Sequence, residues 1–159
     1  MSIDIARADF ADPALAAFLQ AHLDDMEPTA PPESRHALDL DGLRAPGVRL
    51  WAATDDGEIV GTVALAALAP GHEELKSMRT DPLRRGRGIA SLLLEFALAD
   101  ARFRGVERVS LETGAMDFFA PARRLYERAG FTPCGPFGKY TDDPLSVYYT
   151  IAIDRAVAV

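Results

Sequence analysis

The stretch Met78-Arg79-Thr80-Asp81-Pro82-Leu83-Arg84-Arg85-Gly86-Arg87-Gly88-Ile89-Ala90 decides the reading of this chain, because it runs from a strand through a glycine-rich loop into the start of a helix. Downstream of Asp81-Pro82, Ile89, Leu92, Leu93, Phe96 and Ala97 share one helical face through about Phe103, and Gly105 marks the stop. The first turn of such a helix leaves backbone N–H groups without acceptors and carries about half a positive charge, so an anion is stabilised there without any side chain. Gly86 and Gly88 carry no Cβ and let the backbone approach a ligand closely. The segment therefore points to a diphosphate cradle. A dinucleotide fingerprint would need glycine or alanine where Ser91 stands, and no G-x-x-x-x-G-K-[ST] loop is present.

On either side of this segment the periodicities order the rest of the chain. Ser2 to Ala8 alternates as a strand does; Asp12-Pro13 caps a helix containing Leu15, Phe18 and Leu19; prolines interrupt Glu27 to Pro32; and a short second helix is expected at about Glu33 to Leu43. Val48 to Thr54 and Glu58 to Leu68 are strands joined by an Asp55-Asp56-Gly57 hairpin turn, and Glu73 to Thr80 is a third. Val106 to Glu112 reads as strand, Pro121 to Ala129 as helix with Gly130 as its end, and Ser146 to Ile153 as a last strand. This order predicts an α/β chain with a central mixed, mostly antiparallel sheet and helices on both faces, forming one domain over residues 1–159.

Composition narrows the function. The 159 residues are 48% apolar and carry a net charge of −7, which disfavours a nucleic-acid binder. Residues 1–60 hold twelve acids against four arginines, whereas residues 76–87 hold Lys76, Arg79, Arg84, Arg85 and Arg87 against Asp81 alone. A basic island in an acidic chain suits one anionic ligand. The acidic first third would favour a cationic acceptor if it faced the pocket. Cys134 is the single cysteine and the three histidines show no zinc spacing, so no metal is expected. No apolar run approaches the ~20 residues of a membrane span, and the N-terminus has acid where a leader would have base, so the expected location is cytoplasmic.

Arg85-Gly86-Arg87-Gly88-Ile89-Ala90 resembles the R/Q-x-x-G-x-G/A signature of the GCN5-related N-acetyltransferases (GNAT), and Ala122-Arg123-Arg124-Leu125-Tyr126-Glu127-Arg128-Ala129-Gly130-Phe131 resembles their A-x-x-L-Y-E-x-x-G-F. The strings Pro32-Glu33-Ser34-Arg35-His36, Leu75-Lys76-Ser77-Met78, Leu111-Glu112-Thr113-Gly114 and Cys134-Gly135-Pro136-Phe137-Gly138 are similar to a subgroup of small bacterial GNAT proteins. The resemblance implies the GNAT fold and transfer of acetyl from acetyl-CoA, as acetyl donor, to a primary amine of a small molecule or peptide. It also implies that Met78, Arg79 and Thr80 pair with the pantetheine arm, that Arg85, Gly86, Arg87, Gly88, Ile89, Ala90 and Ser91 carry the pyrophosphate, and that Tyr126 protonates the departing thiolate. One position departs from the pattern: the asparagine common three residues before Ala122 is Phe119.

An acceptor amine must shed its proton before attack, and for a lysine-like amine at pH 7 this costs about 4–5 kcal/mol. By similarity the base is Glu74 or a water relay. A period of two puts Glu74, Lys76 and Met78 on one face unless a bulge intervenes. Glu74 could equally be a solvated partner of Lys76, and Tyr126 a core residue. His36, Glu112, Thr113 and Tyr140 are candidate substrate contacts, while Glu33, Asp39 and Asp41 read as helix-capping or solvated acids. Pairing of the exposed strand Ser146 to Ile153 could support a homodimer, although no residue demands one. Two other functions fit the same residues: a non-catalytic acyl-CoA-binding or sensing module, and a nucleotide-binding or phosphate-binding protein that mimics the loop.

Overall fold

The computed structural model of the chain describes residues 2–29 and 39–154. Within them a seven-stranded mixed sheet runs in the order β1-β2-β3-β4-β5-β7-β6. The strands are β1 (Ile3–Arg7), β2 (Val48–Asp55), β3 (Glu58–Ala69), β4 (His72–Thr80), β5 (Arg108–Gly114), β6 (Thr132–Cys134) and β7 (Ser146–Ala152); the helices are α1 (Pro13–Met26), α2 (Leu40–Leu43), α3 (Ile89–Phe103) and α4 (Ala120–Ala129). Every neighbouring pair is antiparallel except β4 and β5. The mixed sheet expected from the strand and helix order is present. No described helix is long and apolar enough to cross a membrane.

Two apolar layers explain the helices on both faces. Leu93, Leu94, Ala97 and Ala101 of α3 and Leu125 and Tyr126 of α4 pack on Leu65, Leu75, Val109, Leu111 and Tyr149 of the sheet. On the opposite face Leu15 and Leu19 of α1 and Leu43 of α2 cover Leu50 and Ala64. Burying each such leucine side chain contributes roughly 1.5–3 kcal/mol, so the two layers fix both helix pairs against the sheet. Arg104, just beyond α3, donates to both carboxylate oxygens of Glu73 on β4 at 2.8 and 2.7 Å and to Asp100 at 2.7 Å. That clamp fixes the C-terminal end of α3 against β4.

Several sequence expectations shift. The Asp12 cap on α1 is made, its carboxylate accepting from the Ala14 N–H at 2.9 Å. Of the second helix only α2 lies among the described residues, capped by Asp39, which accepts from the Gly42 N–H; positions 33–38, and with them His36, lie outside those residues. β5 begins two residues late because the N–H groups of Glu107 and Arg108 both turn to the Gly71 carbonyl. The strand expected to be exposed, Ser146 to Ile153, is interior instead: β7 pairs with β5 over seven positions and with β6 over three. Proline at position 133 hid β6 from the sequence reading.

Candidate active site

The site begins with a gap in the sheet. β4 and β5 pair only at His72↔Arg108, Glu73↔Val109 and Glu74↔Ser110, after which the strands part. The cause lies in β4, where the register against β3 skips a residue between Arg79 and Lys76 and Ser77 takes φ +53°. This bulge, held by the Thr62 hydroxyl donating to the Ser77 carbonyl at 2.9 Å, bends the strand and reverses the facing of the residues beyond it. Period two therefore fails here: Glu74 and Lys76 stay on the α1 face, while Met78 packs against the α3 and α4 core. Nothing in the local sequence signals the bulge, since Ser77 is neither glycine nor asparagine.

A cleft of about 390 Å³ opens along the separated edge of β4. Met78, Arg79 and Thr80 line one wall, Arg85, Gly86 and Gly88 with Ile89, Ala90 and Ser91 close one end, and Phe118, Phe119, Ala122, Leu125 and Arg128 form the opposite wall. Of the residues expected to hold the cofactor, all but Arg87 line it. Gly88 caps α3 at φ +78° and Gly86 sits at +80°, conformations that favour glycine, and a Cβ on either would meet no heavy atom within 4 Å. The loop thus leaves open space over the first turn of α3, whose N–H groups have no intrahelical acceptor. Ser77 Oγ, Arg79 Nε and Thr80 Oγ1 are buried with no hydrogen-bond partner among the described residues. An elongated ligand with an anionic group at the loop and polar amide groups along β4 fits these features.

The basic island is less available than its sequence suggested. Arg84 is engaged by Glu58, with Asp55 and Asp81 each at 3.9 Å. Arg79 binds Asp25 of α1 at 2.7 Å and lies over the Phe18 ring. Lys76 binds Glu74 at 3.2 Å. Arg85 and Arg87 have no such carboxylate among the described residues, and Arg128 of α4 joins Arg85 on the cleft. Arg128 was not singled out from the sequence, although Pro121, Ala122, Leu125 and Arg128 fall at helical spacing on one face. His22, Asp25 and Met26, one face of α1, were also missed. Burial and the neighbouring Arg79 cation lower the His22 pKa to about 4, so its ring is neutral at pH 7.

Phe119 has a structural explanation. Its ring lies over Gly114 at the end of β5, where any Cβ would collide with it. The loop between them is clipped by Arg123, which donates to the carbonyls of Gly114 at 2.7 Å and Met116 at 2.9 Å.

Where the two strands part, Glu74 is 6% exposed and accepts hydrogen bonds at Oε2 from both Lys76 and the Tyr140 hydroxyl. Lys76 also donates to the Tyr140 oxygen at 3.1 Å. Burial and the Glu74 carboxylate hold the Tyr140 phenol far above its ordinary pKa. Glu112 of β5, facing Tyr148 across the ladder, accepts from Ser146 at 2.7 Å, and Thr113 is buried beside it. Tyr126 is buried within the α4 layer, its ring 5.8 Å from Phe131 and 6.5 Å from Tyr149. Burial first, and the Glu112 charge second, raise its pKa, so its hydroxyl keeps its proton. Glu74, Lys76 and Tyr140 therefore come together, with Glu112 on the same face of the neighbouring strand, while Tyr126 lies in the opposite layer.

Residues 15–131 match the model of the acetyltransferase (GNAT) family. A Bacillus subtilis (strain 168) protein described as the uncharacterized N-acetyltransferase YsnE is 44% identical over 136 residues, 86% of this chain and 90% of its own length. An Escherichia coli (strain K12) relative described as the uncharacterized N-acetyltransferase YedL is 41% identical over 91% of each chain. A Klebsiella pneumoniae crystal structure described as an acyl-CoA N-acyltransferase superposes with a TM-score of 0.80 at 31% identity, covering 96% of this chain and 98% of that one.

Proposed function

Because this chain belongs to the GNAT family of acetyltransferases, whose members use acetyl-CoA, we propose that the separated edges of β4 and β5 are where its acetyl transfer takes place. The observation that carries this is adjacency: the cleft runs from the left-handed glycines at α3 to Met78, Arg79 and Thr80 of β4, and the β4–β5 ladder parts directly after Glu74, four residues before Met78 and outside the cleft's lining. Acetyl-CoA bound there supplies an activated thioester carbon. The first-turn N–H groups of α3, with Arg85 and Arg128, hold the pyrophosphate, and the backbone of Met78, Arg79 and Thr80 pairs with the pantetheine arm. Arg87, exposed and off the cleft lining, adds only longer-range attraction.

Glu74 receives the proton that the acceptor amine loses. Among the described residues its two hydrogen-bond donors converge on Oε2, and Oε1 takes the amine proton. As the new C–N bond forms and the C–S bond breaks, the protonated Tyr126 phenol donates to the sulfur. Glu112, Thr113 and Tyr140 form the acceptor side. We assign the whole chain, residues 1–159, to one acetyltransferase domain in the cytoplasm; the single seven-stranded sheet supports the one-domain reading.

The test is thiol release from acetyl-CoA across a panel of amines. Amine-dependent release with one acetylated product per thiol is expected. Binding of acetyl-CoA without release from any amine would contradict the enzyme and favour a sensing module.

A further inference from the structure

β4 and β5 run parallel where they pair, so the loops that leave their C-terminal ends stand at the same end of the sheet. One is the glycine loop that closes the cleft at α3; the other, residues 115–119, carries part of the facing wall. Open sheets with helices on both faces bind ligands in the crevice outside such strand ends. The second loop is held in place. Arg123 ties it to the Gly114 and Met116 carbonyls, and the Phe119 ring lies against Gly114. Phe118 packs edge to face with that ring, the centroids 5.0 Å apart at 87°. It nevertheless stays 51% exposed while lining the cleft, and neither the α4 layer nor the proposed chemistry uses it. A lone exposed phenylalanine on an open surface calls for no explanation, whereas an anchored aromatic ring on the wall of a binding cleft does.

Given the acetyl-transfer reading above, on which this rests, we propose that the Phe118 ring carries the adenine of acetyl-CoA and makes the site select a thioester with a nucleotide head over one on a bare phosphopantetheine arm. With the pantetheine arm along β4 and the pyrophosphate at the start of α3, the adenosine is the part of the donor that continues past the glycine loop, at the end of the cleft where the two loops face each other. An adenine presents a flat π-face that stacks on an aromatic side chain without any hydrogen bond, and such stacking is worth roughly fivefold to a hundredfold in affinity. Because Arg123 and Phe119 fix the loop beforehand, little of that is lost to ordering it on binding.

The experiment measures dissociation constants for coenzyme A and for 4′-phosphopantetheine, which lacks the adenosine, in the wild type, F118A and F118W, and follows tryptophan emission in F118W. F118A should bind coenzyme A more weakly by about fivefold or more, and 4′-phosphopantetheine within about twofold of the wild type. F118W should keep the coenzyme A affinity, and its emission should fall with coenzyme A and stay level with 4′-phosphopantetheine. The wild type, whose single tryptophan, Trp51, is buried in the sheet, sets the baseline. Unchanged coenzyme A affinity in a folded F118A, equal weakening of both probes, or F118W emission that responds to both or to neither overturns the adenine site alone; should F118A not fold, the F118W emission decides. Absence of coenzyme A binding by the wild type instead overturns the acetyl-transfer reading beneath it.

Discussion

A carboxylate, a phenol and a buried imidazole carry the predictions that single residues can test. Replacing Glu74 with Gln removes the proton acceptor while keeping the shape and the Tyr140 contact, so kcat/KM should fall about a hundredfold or more, and the melting temperature should also drop because the buried Lys76 loses its counter-charge. Retention of full activity would leave a water relay to accept the proton. Tyr126→Phe keeps the ring contacts with Phe131 and Tyr149 and removes only the hydroxyl. A thiol leaves with a pKa near 8.5, so the expected loss in kcat is modest, about tenfold, and an unchanged kcat would remove Tyr126 from the chemistry. His22 gives a pH prediction independent of activity. Its folded pKa, about 4, lies below the ordinary 6.5, so the unfolded chain binds more protons between those values. The stability it contributes is complete above pH 6.5 and is lost as pH falls towards 4, by on the order of 3 kcal/mol. Denaturant titrations from pH 7 to 4 should show this slope in the wild type and a shallower one in His22→Gln; identical slopes would contradict it. Of these residues Tyr126 stood out as a candidate from the motif that contains it, and Glu74 only from the family resemblance. The partnership of Glu74 with Tyr140, 66 positions away, was not legible, because only the loop before β7 brings the phenol back over β4.

Elements, in turn, are set by backbone geometry that a side-chain pattern records unevenly. The loop into α3 could be read because its glycines are required: Gly88 at φ +78° starts the helix in a conformation that costs an ordinary residue roughly 1–3 kcal/mol. Since a Cβ there meets nothing, Gly88→Asn, which tolerates that φ, should leave the melting temperature nearly unchanged yet weaken acetyl-CoA binding, and Gly88→Val should lose both. Undiminished affinity in Gly88→Val would contradict close backbone approach. The bulge in β4 was illegible for the opposite reason, since Ser77 adopts a positive φ with no residue-type signal. Gly114 and Phe119 are a matched pair between β5 and α4. Gly114→Ala should push the ring away and lower the melting temperature by several degrees, and adding Phe119→Leu should recover most of it; additive losses would mean that the two positions are not coupled. Strand β6, three residues with a central proline, offered too little pattern to detect.

Across the whole molecule the order of strands and helices was legible because hydrophobic period and turn residues agree over most of the chain. The charge map was not. Counting acids and bases along the sequence placed a basic island at 76–87, yet folding sets Lys76, Arg79 and Arg84 against Glu74, Asp25 and Glu58, while Arg85 and Arg128 line the cleft at the start of α3 with no carboxylate partner among the described residues. The sheet supplies both halves of the proposed mechanism from one irregularity, since the bulge that parts β4 from β5 also leaves Glu74 where the strands separate. Both halves require acetyl-CoA to lie in that cleft. Thermal unfolding of the purified protein should therefore be measured with acetyl-CoA, coenzyme A, ATP and NAD at equal concentration. At a hundred times its dissociation constant a ligand adds about 2.7 kcal/mol, several degrees for a chain of this size. A shift with the two coenzyme A species alone is the expected result, and no shift with either, or one only with ATP or NAD, would contradict it.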